Sequence, residues 1–303
     1  MGSSEGGDRT VSAPDGVDVL VATAGELCEG PCWDARTGRL YFVDILAGRV
    51  HAVDPADGAL QSWELGVPVG AVAPMRSGGW IAAVERGFAA YDDDWHAAGP
   101  LIPAPVQRDG TRFNDGRCDP AGRFWAGTLA YDGAPGMGAL YRLDAAGTVT
   151  EMLSGVTNSN GLAWSPAGTE LFYVDTGKAT VDRMAFEPGD GTIADRRTLV
   201  EFRPEEGVPD GMTIDRDGFL WVALWDGGCV RRYSPGGVLD REIRLPVTQV
   251  TSVAFGGPDL GDLFITTAAV NLSAQERDRQ PLAGSVFRCR PGAIGLPPAS
   301  FAG

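Results

Sequence analysis

Short apolar runs, rich in aromatic and β-branched residues and separated by glycine-bearing turns, recur along the whole chain. They read as strands joined by hairpins. Helical spacing of apolar residues is not sustained anywhere. Six units can be laid under one another, beginning near Gly30, Gly70, Asp115, Gly161, Gly211 and Ser252. Their period of roughly 40–50 residues is that of propeller blades. In each unit a turn element ("DARTG", "RSGG", "DPAG", "SPAG", "DRDG", "GPDLG") leads into a strand ("RLYFVDI", "WIAAVE", "RFWAGTL", "ELFYVDT", "FLWVALW", "DLFITTA"). A third strand follows, as in "GRVHAVDP", "GALYRLDA" and "GCVRRYSP", and then a polar turn and a shorter outer strand such as "LQSWEL", "TVTEML" or "REIRLP".

Four strands per unit predict an all-β chain folded as a six-bladed β-propeller with four-stranded blades. The sixth unit runs out after "GSVFRCRPGAIGLPP", while the N-terminal "VDVLVATA" lacks a partner of its own. That segment is expected to supply the outer strand of the last blade, which closes the ring and removes two exposed sheet edges. Residues 16–303 thus read as a single propeller domain, preceded by a flexible polar lead-in over residues 1–15.

Composition narrows the class. The chain has 303 residues, 44% of them hydrophobic, enough to bury a large core. Its 43 glycines and 21 prolines are spread as punctuation, which favours many turns over long helices. A formal charge of −15 argues against nucleic acid or an anionic membrane as partner, and says nothing of oligomeric state. The five cysteines, Cys28, Cys32, Cys118, Cys229 and Cys289, form no CxxC pair and are odd in number. They read as small buried apolar residues in a reducing, cytoplasmic protein. No apolar stretch has the length of a signal peptide core or a membrane span.

Candidate chemistry sits at the starts of the inner strands. Glu29, Asn114, Asn160 and Asp210 occupy comparable points of four units, in "CEGP", "FNDG", "SNG" and "PDG". Singly, such sequences are turns. Together they place two carboxylates and amide oxygens at one mouth of the central channel. This hard-oxygen cluster suits Ca²⁺ or Mg²⁺ and is usable by Mn²⁺ or Zn²⁺. The other two units carry "VGAVA" and "VTSVAF" there, so the fold itself does not demand the polar residues. Arg112 lies two residues before Asn114 and faces the same side of its strand; it reads equally as a ligand donor or as an inter-blade ion pair. Asp132, in "LAYDGAPGMG", reads as a turn residue or a ligand acceptor. His51 and His96 lie away from these positions, so a histidine-based triad is not supported.

The stretches "EGPCWDARTGRLYFVDI", "RFNDGRCDPAGRFWAGT", "SNGLAWSPAGTELFYVD", "PDGMTIDRDGFLWVALWDGG" and "TSVAFGG" resemble the SMP-30/gluconolactonase/luciferin-regenerating (regucalcin-like) family, over nearly the whole chain. The resemblance implies one divalent metal ion held by Glu29, Asn160 and Asp210, with Asn114 close by, binding substrate or completing the shell through water. It implies substrate contacts from Arg112 and from Asp132, and hydrolysis of a lactone, commonly a sugar lactone. Asp210 is then the candidate catalytic base. Two alternatives stay open: hydrolysis of a non-sugar lactone or ester, and a non-catalytic propeller that binds metal or ligand.

Overall fold

The computed structural model describes residues 16–106 and 108–303; the lead-in expected over residues 1–15 lies outside them. Six antiparallel four-stranded sheets stand around a common axis. From the axis outward, blade 1 holds Cys28–Asp34, Arg39–Asp44, Arg49–Val53 and Leu60–Glu64. Blade 2 holds Val69–Pro74, Trp80–Val84, Gly87–Tyr91 and a two-residue outer strand, Ile102–Pro103. Blade 3 holds Thr111–Cys118, Phe124–Ala130, Gly138–Leu143 and Val149–Val156. Blade 4 holds Ser159–Trp164, Glu170–Asp175, Thr180–Phe186 and Ile193–Glu201. Blade 5 holds Val208–Ile214, Leu220–Trp225, Cys229–Tyr233 and Leu239–Arg244. Blade 6 holds Val250–Gly256, Asp262–Thr267, Val286–Cys289 and, outermost, the N-terminal strand Val17–Val21.

The apolar pattern explains this order. Inner strands are buried along almost their whole length, whereas outer strands such as Leu60–Glu64 and Leu239–Arg244 are largely exposed. The core lies between blades. Among the described residues it divides into six clusters, one at each junction of consecutive blades. Tyr41 of blade 1 meets Trp80 of blade 2 with ring centroids 4.1 Å apart. Trp221 of blade 5 meets Phe255 of blade 6 edge-on at 5.7 Å. The junction of blades 6 and 1, built on Trp33, Phe42 and Phe264, closes the ring. There Thr251 also donates across the junction to the Cys28 carbonyl at 2.6 Å. No disulfide contributes. The five cysteines are free; four are buried and Cys32 is half-buried.

Loops at one end of the channel are pinned by buried aspartates. Asp119 accepts from the Ala121, Gly122 and Arg123 amides, from the Arg123 side chain and from the Trp125 indole. Asp215 does the same work in blade 5, with Trp221 and Arg232 as side-chain donors. The C-terminal segment then crosses this end. Arg216 donates to the Ile294 carbonyl on one side, and Phe301 pairs with Pro74 and Arg76 on the other.

One element departs from the expected pattern. The long loop of blade 6 contains a short helix, Ala274–Arg279, capped by Ser273 and Glu276 in a reciprocal capping box. The local S-x-x-E signal nucleates a turn and a half, too short for apolar periodicity to register.

Closure by the N-terminal strand has a measurable consequence. Val17 pairs with Cys289 and is buried in the core between blades 5 and 6, while neighbouring Asp18 is exposed. Val17→Asp should cost about 3 kcal/mol or more, because it buries an unpaired charge. Asp18→Asn should stay within about 0.5 kcal/mol of the parent. Urea denaturation midpoints test this, and equal midpoints would show that the strand does not hold the ring shut.

Candidate active site

Each inner strand carries a β-bulge near its start. The register slips between Glu29 and Cys32, Val69 and Ala71, Phe113 and Gly116, Ser159 and Leu162, Pro209 and Met212, and Val250 and Ser252. Glu29, Asn114, Asn160 and Asp210 thus lie inside strands, at or beside bulges, and not in turns preceding them. A bulge re-aims the side chains it contains. Gly161 and Gly211, which follow Asn160 and Asp210, and Gly70 at the corresponding point of blade 2 lack the positive φ of a turn glycine and face the next inner strand. A Cβ on Gly161 would approach the Asp210 carbonyl oxygen to 2.8 Å, and one on Gly70 would approach the Asn114 carbonyl oxygen to 2.2 Å. Glycine is needed there because neighbouring inner strands nearly touch around the axis.

Hydrogen bonds fix which atoms face the centre. Thr176, just after the second strand of blade 4, donates to the Pro209 carbonyl at 2.7 Å. Its oxygen must therefore accept from the Asn160 amide nitrogen, 2.9 Å away. That leaves the Asn160 carbonyl oxygen turned to the other side. Asn114 is oriented the opposite way. Arg112 donates to its carbonyl oxygen at 3.0 Å. Its amide nitrogen donates to Asn158 at 3.1 Å, to the Ser159 carbonyl at 3.1 Å and to the Asn160 carbonyl oxygen at 3.2 Å. Asn160 offers an oxygen at this place, and Asn114 offers N–H donors. Arg112 also donates to the Phe113 carbonyl, so these hydrogen-bond partners belong to its own strand, and among the described residues it forms no inter-blade ion pair.

The electrostatics are those of an under-compensated acidic cluster. Glu29, Asp115 and Asp210 are all buried. Burial raises Glu29 to about 8, with Asp115 adding to the effect and the Gly30 N–H and Arg112 opposing it. Asp210 is held well above the usual carboxylate range by burial, then by Glu29 and Asp115, against the Asn160 amide and Arg112. Asp115 is raised by burial, with Arg117 and the Gly116 N–H opposing. Three buried carboxyls face one another, and the guanidinium of Arg112 is itself only 6% exposed. Such an arrangement resists full ionisation without added positive charge.

Not every candidate joins this group. Asp132 is exposed and accepts from the Ala134 amide at 3.0 Å, an Asx turn in the loop after the second strand of blade 3. His51 bonds to Ser62 and His96 to Asp92, both outside the cluster. Three contributors went unread in the sequence: Asp115, Asn158 and Thr176. "NDG" does display Asp115, but only the bulge puts it beside Asn114 on the channel. Thr176 follows the "YVD" of a second strand and reaches Asn160 through the fold alone.

Among the described residues, no group of three His, Cys, Asp or Glu side chains is disposed to hold a metal unaided; the convergent set here mixes carboxylates with an amide oxygen. A cavity of about 510 Å³ opens at the other end of the channel, among Cys32, Trp33, Arg117, Thr213, Phe255 and Pro297. It is mainly apolar, and of the clustered acids it is reached by Asp115. The convergent donors lie at the Arg112 end of the channel, away from the larger space. Among the described residues, no helix is long and apolar enough to cross a membrane.

Comparison with known proteins gives a consistent picture. The chain is 41% identical to the 6-deoxy-6-sulfogluconolactonase of Pseudomonas putida, over 94% of this chain and 98% of that one. It is 38% identical to a pentonolactonase of Haloferax volcanii, over 93% and 96%. The solved structure of a calcium-binding protein, regucalcin, from Agrobacterium tumefaciens superposes with a TM-score of 0.89 at 27% identity, covering 94% of this chain and 96% of that one. Residues 27–269 match the SMP-30/Gluconolactonase/LRE-like region. With the six-bladed ring and its axial cluster, this match places the chain in the SMP-30/gluconolactonase/LRE-like family.

Proposed function

We propose that this protein hydrolyses a lactone, most simply a sugar lactone, at the Arg112 end of its channel, with one divalent cation held by Glu29, Asn160 and Asp210. One observation carries the reading. Two raised, buried carboxylates meet an amide oxygen that Thr176 turns inward, beside N–H donors of Arg112 and Asn114. The donor set fits a hard cation, whether Ca²⁺, Mg²⁺, Mn²⁺ or Zn²⁺. The uncompensated acids supply the electrostatic demand for one. The lactonase names of the two relatives above, and the calcium-binding regucalcin, support the same choice of chemistry and cofactor class.

When bound, the cation supplies positive charge that keeps both carboxylates ionised, polarises an ester carbonyl and acidifies water. The residues of the chain do the rest. Asp210 takes the proton of the attacking water at a carboxylate oxygen. Arg112 and Asn114 present N–H donors to ring oxygens and fix the lactone against the attacking water. Water adds to the carbonyl carbon, the ring C–O bond breaks, and the leaving oxygen is protonated to give a hydroxy acid.

Three measurements test this. The first is stability against pH in chelator. Raised carboxyls ionise later in the folded than in the unfolded chain, so the stability these groups contribute is fully present below about pH 4 and is lost as pH rises through the value of about 8 for Glu29. Asp210→Asn should flatten part of that fall. At pH 8 a divalent cation at about 100 times its Kd should restore about 2.7 kcal/mol. A flat profile that none of the four cations changes would overturn the metal assignment.

The second is turnover of a sugar lactone, corrected for spontaneous opening, with metal content measured in each variant. Asp210→Asn should lose about 100-fold or more in kcat even when metal-loaded. Arg112→Ala should act mainly on KM. Near-normal turnover in metal-loaded Asp210→Asn would remove Asp210 as the base. A metal-loaded parent that opens no lactone or ester would favour a binding propeller instead.

The third probes Thr176. Thr176→Val keeps the shape and removes the hydroxyl that orients Asn160. Cation affinity by calorimetry should fall by about tenfold or more, as for other residues that orient metal ligands. Unchanged affinity would show that Asn160 needs no such support.

A further inference from the structure

Between the rim of the channel and the acidic cluster runs an unbroken line of contacts, and its outermost member is an aromatic ring. Tyr131 follows the second strand of blade 3, where Leu129 and Ala130 pair with Arg112 and Thr111. Its amide donates to the Gly110 carbonyl at 2.8 Å, which fixes the backbone at the mouth. The Asx turn of Asp132 fixes the chain on its other side. The guanidinium carbon of Arg112 lies 5.9 Å from the Tyr131 ring centroid. Arg112 then binds Asn114, and Asn114 binds Asn160.

Across the junction with blade 2, the Tyr131 hydroxyl donates to Glu85 at 2.9 Å. Burial and the Glu85 carboxylate raise this hydroxyl to about 12, so it remains a donor at any ordinary pH. With its hydroxyl bonded and Arg112 beside the ring, Tyr131 is still 50% exposed. The ring is braced at both ends with much of its surface left open over the site. Around it the rim carries Glu85, Asp109 and Asp132 against Arg86, which reaches Asp109 at 3.9 Å.

We propose that Tyr131, held by Glu85, is the wall on which the ligand's C–H face rests above Arg112, and that the Glu85 carboxylate selects neutral polyhydroxylated lactones over anionic ones. The substrate class rests on the lactone reading above. Sugar rings present patches of C–H between their hydroxyls, and a rigid aromatic plane offers apolar contact at small entropic cost. Orientation of the hydroxyls falls to Arg112 and Asn114 beneath. A carboxylate or sulfonate on the ligand would meet negative charge at the rim, a repulsive element that discriminates without adding affinity. Arg112 keeps its own charge beneath the ring, with one guanidinium nitrogen engaged by Asn114 and the Phe113 carbonyl, so the selection is read as the change on removing the Glu85 charge alone.

The test uses the cation-loaded, full-length protein with two readouts. Calorimetry measures binding of D-glucose and of D-glucuronate, neutral and anionic rings that need no turnover. Steady-state kinetics compare a neutral aldonolactone with a sulfonated one. Tyr131→Ala should raise the glucose Kd and the neutral-lactone KM by about three- to tenfold, with kcat within about twofold. Tyr131→Phe, which keeps the ring and loses the brace, should fall between parent and Tyr131→Ala. Glu85→Gln keeps an acceptor for the tyrosine and removes the charge. It should shift both the glucuronate-to-glucose affinity ratio and the anionic-to-neutral kcat/KM ratio by about threefold or more towards the anion. Unchanged glucose affinity and KM in folded Tyr131→Ala would overturn the wall. An unchanged ratio in Glu85→Gln, or a parent that binds glucuronate as well as glucose, would overturn the charge selection. Failure of the lactone reading looks different: the parent opens no lactone, yet its glucose affinity still depends on Tyr131.

Discussion

Six inner strands approach the axis more closely than any side chain larger than hydrogen allows at key points. The contacts of Gly70 with the Asn114 backbone, of Gly161 with the Asp210 backbone and of Gly211 with Ser252 define this constraint. Strands that meet so closely cannot all stay regular, and each takes up the strain of convergence in a bulge. The side chain at or beside the bulge is then turned onto the channel. Polar groups far apart in sequence converge because the ring forces them together, and the six inter-blade clusters keep it rigid. The cluster does not assemble itself. Its charges oppose it, and packing elsewhere holds it in place.

Hydrogen bonding separates this cluster from the other buried acids. Asp34, Asp119 and Asp215 each receive several backbone and side-chain donors at the far end of the inner strands. Asp44 accepts from the Glu26 and Leu27 amides, and Asp175 from those of Thr157 and Asn158, which ties down the connectors between blades. These carboxylates are structural because their charge is met. Glu29 and Asp115 receive N–H bonds from the glycines that follow them, and they face each other and Asp210. Donor saturation, more than burial, separates the acids that hold the fold together from those of the axial cluster.

Much of this was legible in the sequence. The six units, the four strands in each and the N-terminal strand of blade 6 all follow from runs such as "RLYFVDI" and "VDVLVATA", because sheet period and turn chemistry are local. The convergence of Glu29, Asn114, Asn160 and Asp210 was legible because the repeat aligns them. Asp115 and Thr176 were not. A bulge adds a residue without changing composition, so "FNDG" reads as a turn although Asn114 and Asp115 both lie within a strand. Thr176 acts by accepting from Asn160 while donating to Pro209 of the next blade. No pattern within one unit records a bond between three segments. Tyr131 was hidden for the same reason: its meaning depends on Glu85 in the preceding blade and on Arg112 beside it.

The two ends of the channel are also chemically unlike, and strand direction explains why. Every inner strand runs from its bulge towards a hairpin turn, so all the bulges gather at one end and all the turns at the other. The turn end is lined by Trp33, Ile214 and Phe255 and is crossed by the C-terminal segment, which bonds to blade 5 through Arg216 and to blade 2 through Pro74 and Arg76. A segment fastened on both sides of the axis obstructs approach from below and ties opposite sides of the ring together. At the bulge end, Arg112, Asn114 and Asn160 bring their hydrogen-bonding atoms to one place. Because a ring with parallel inner strands must separate its bulges from its turns, one mouth of the channel is left to packing and closure. The other is free to carry polar groups that packing alone would not retain.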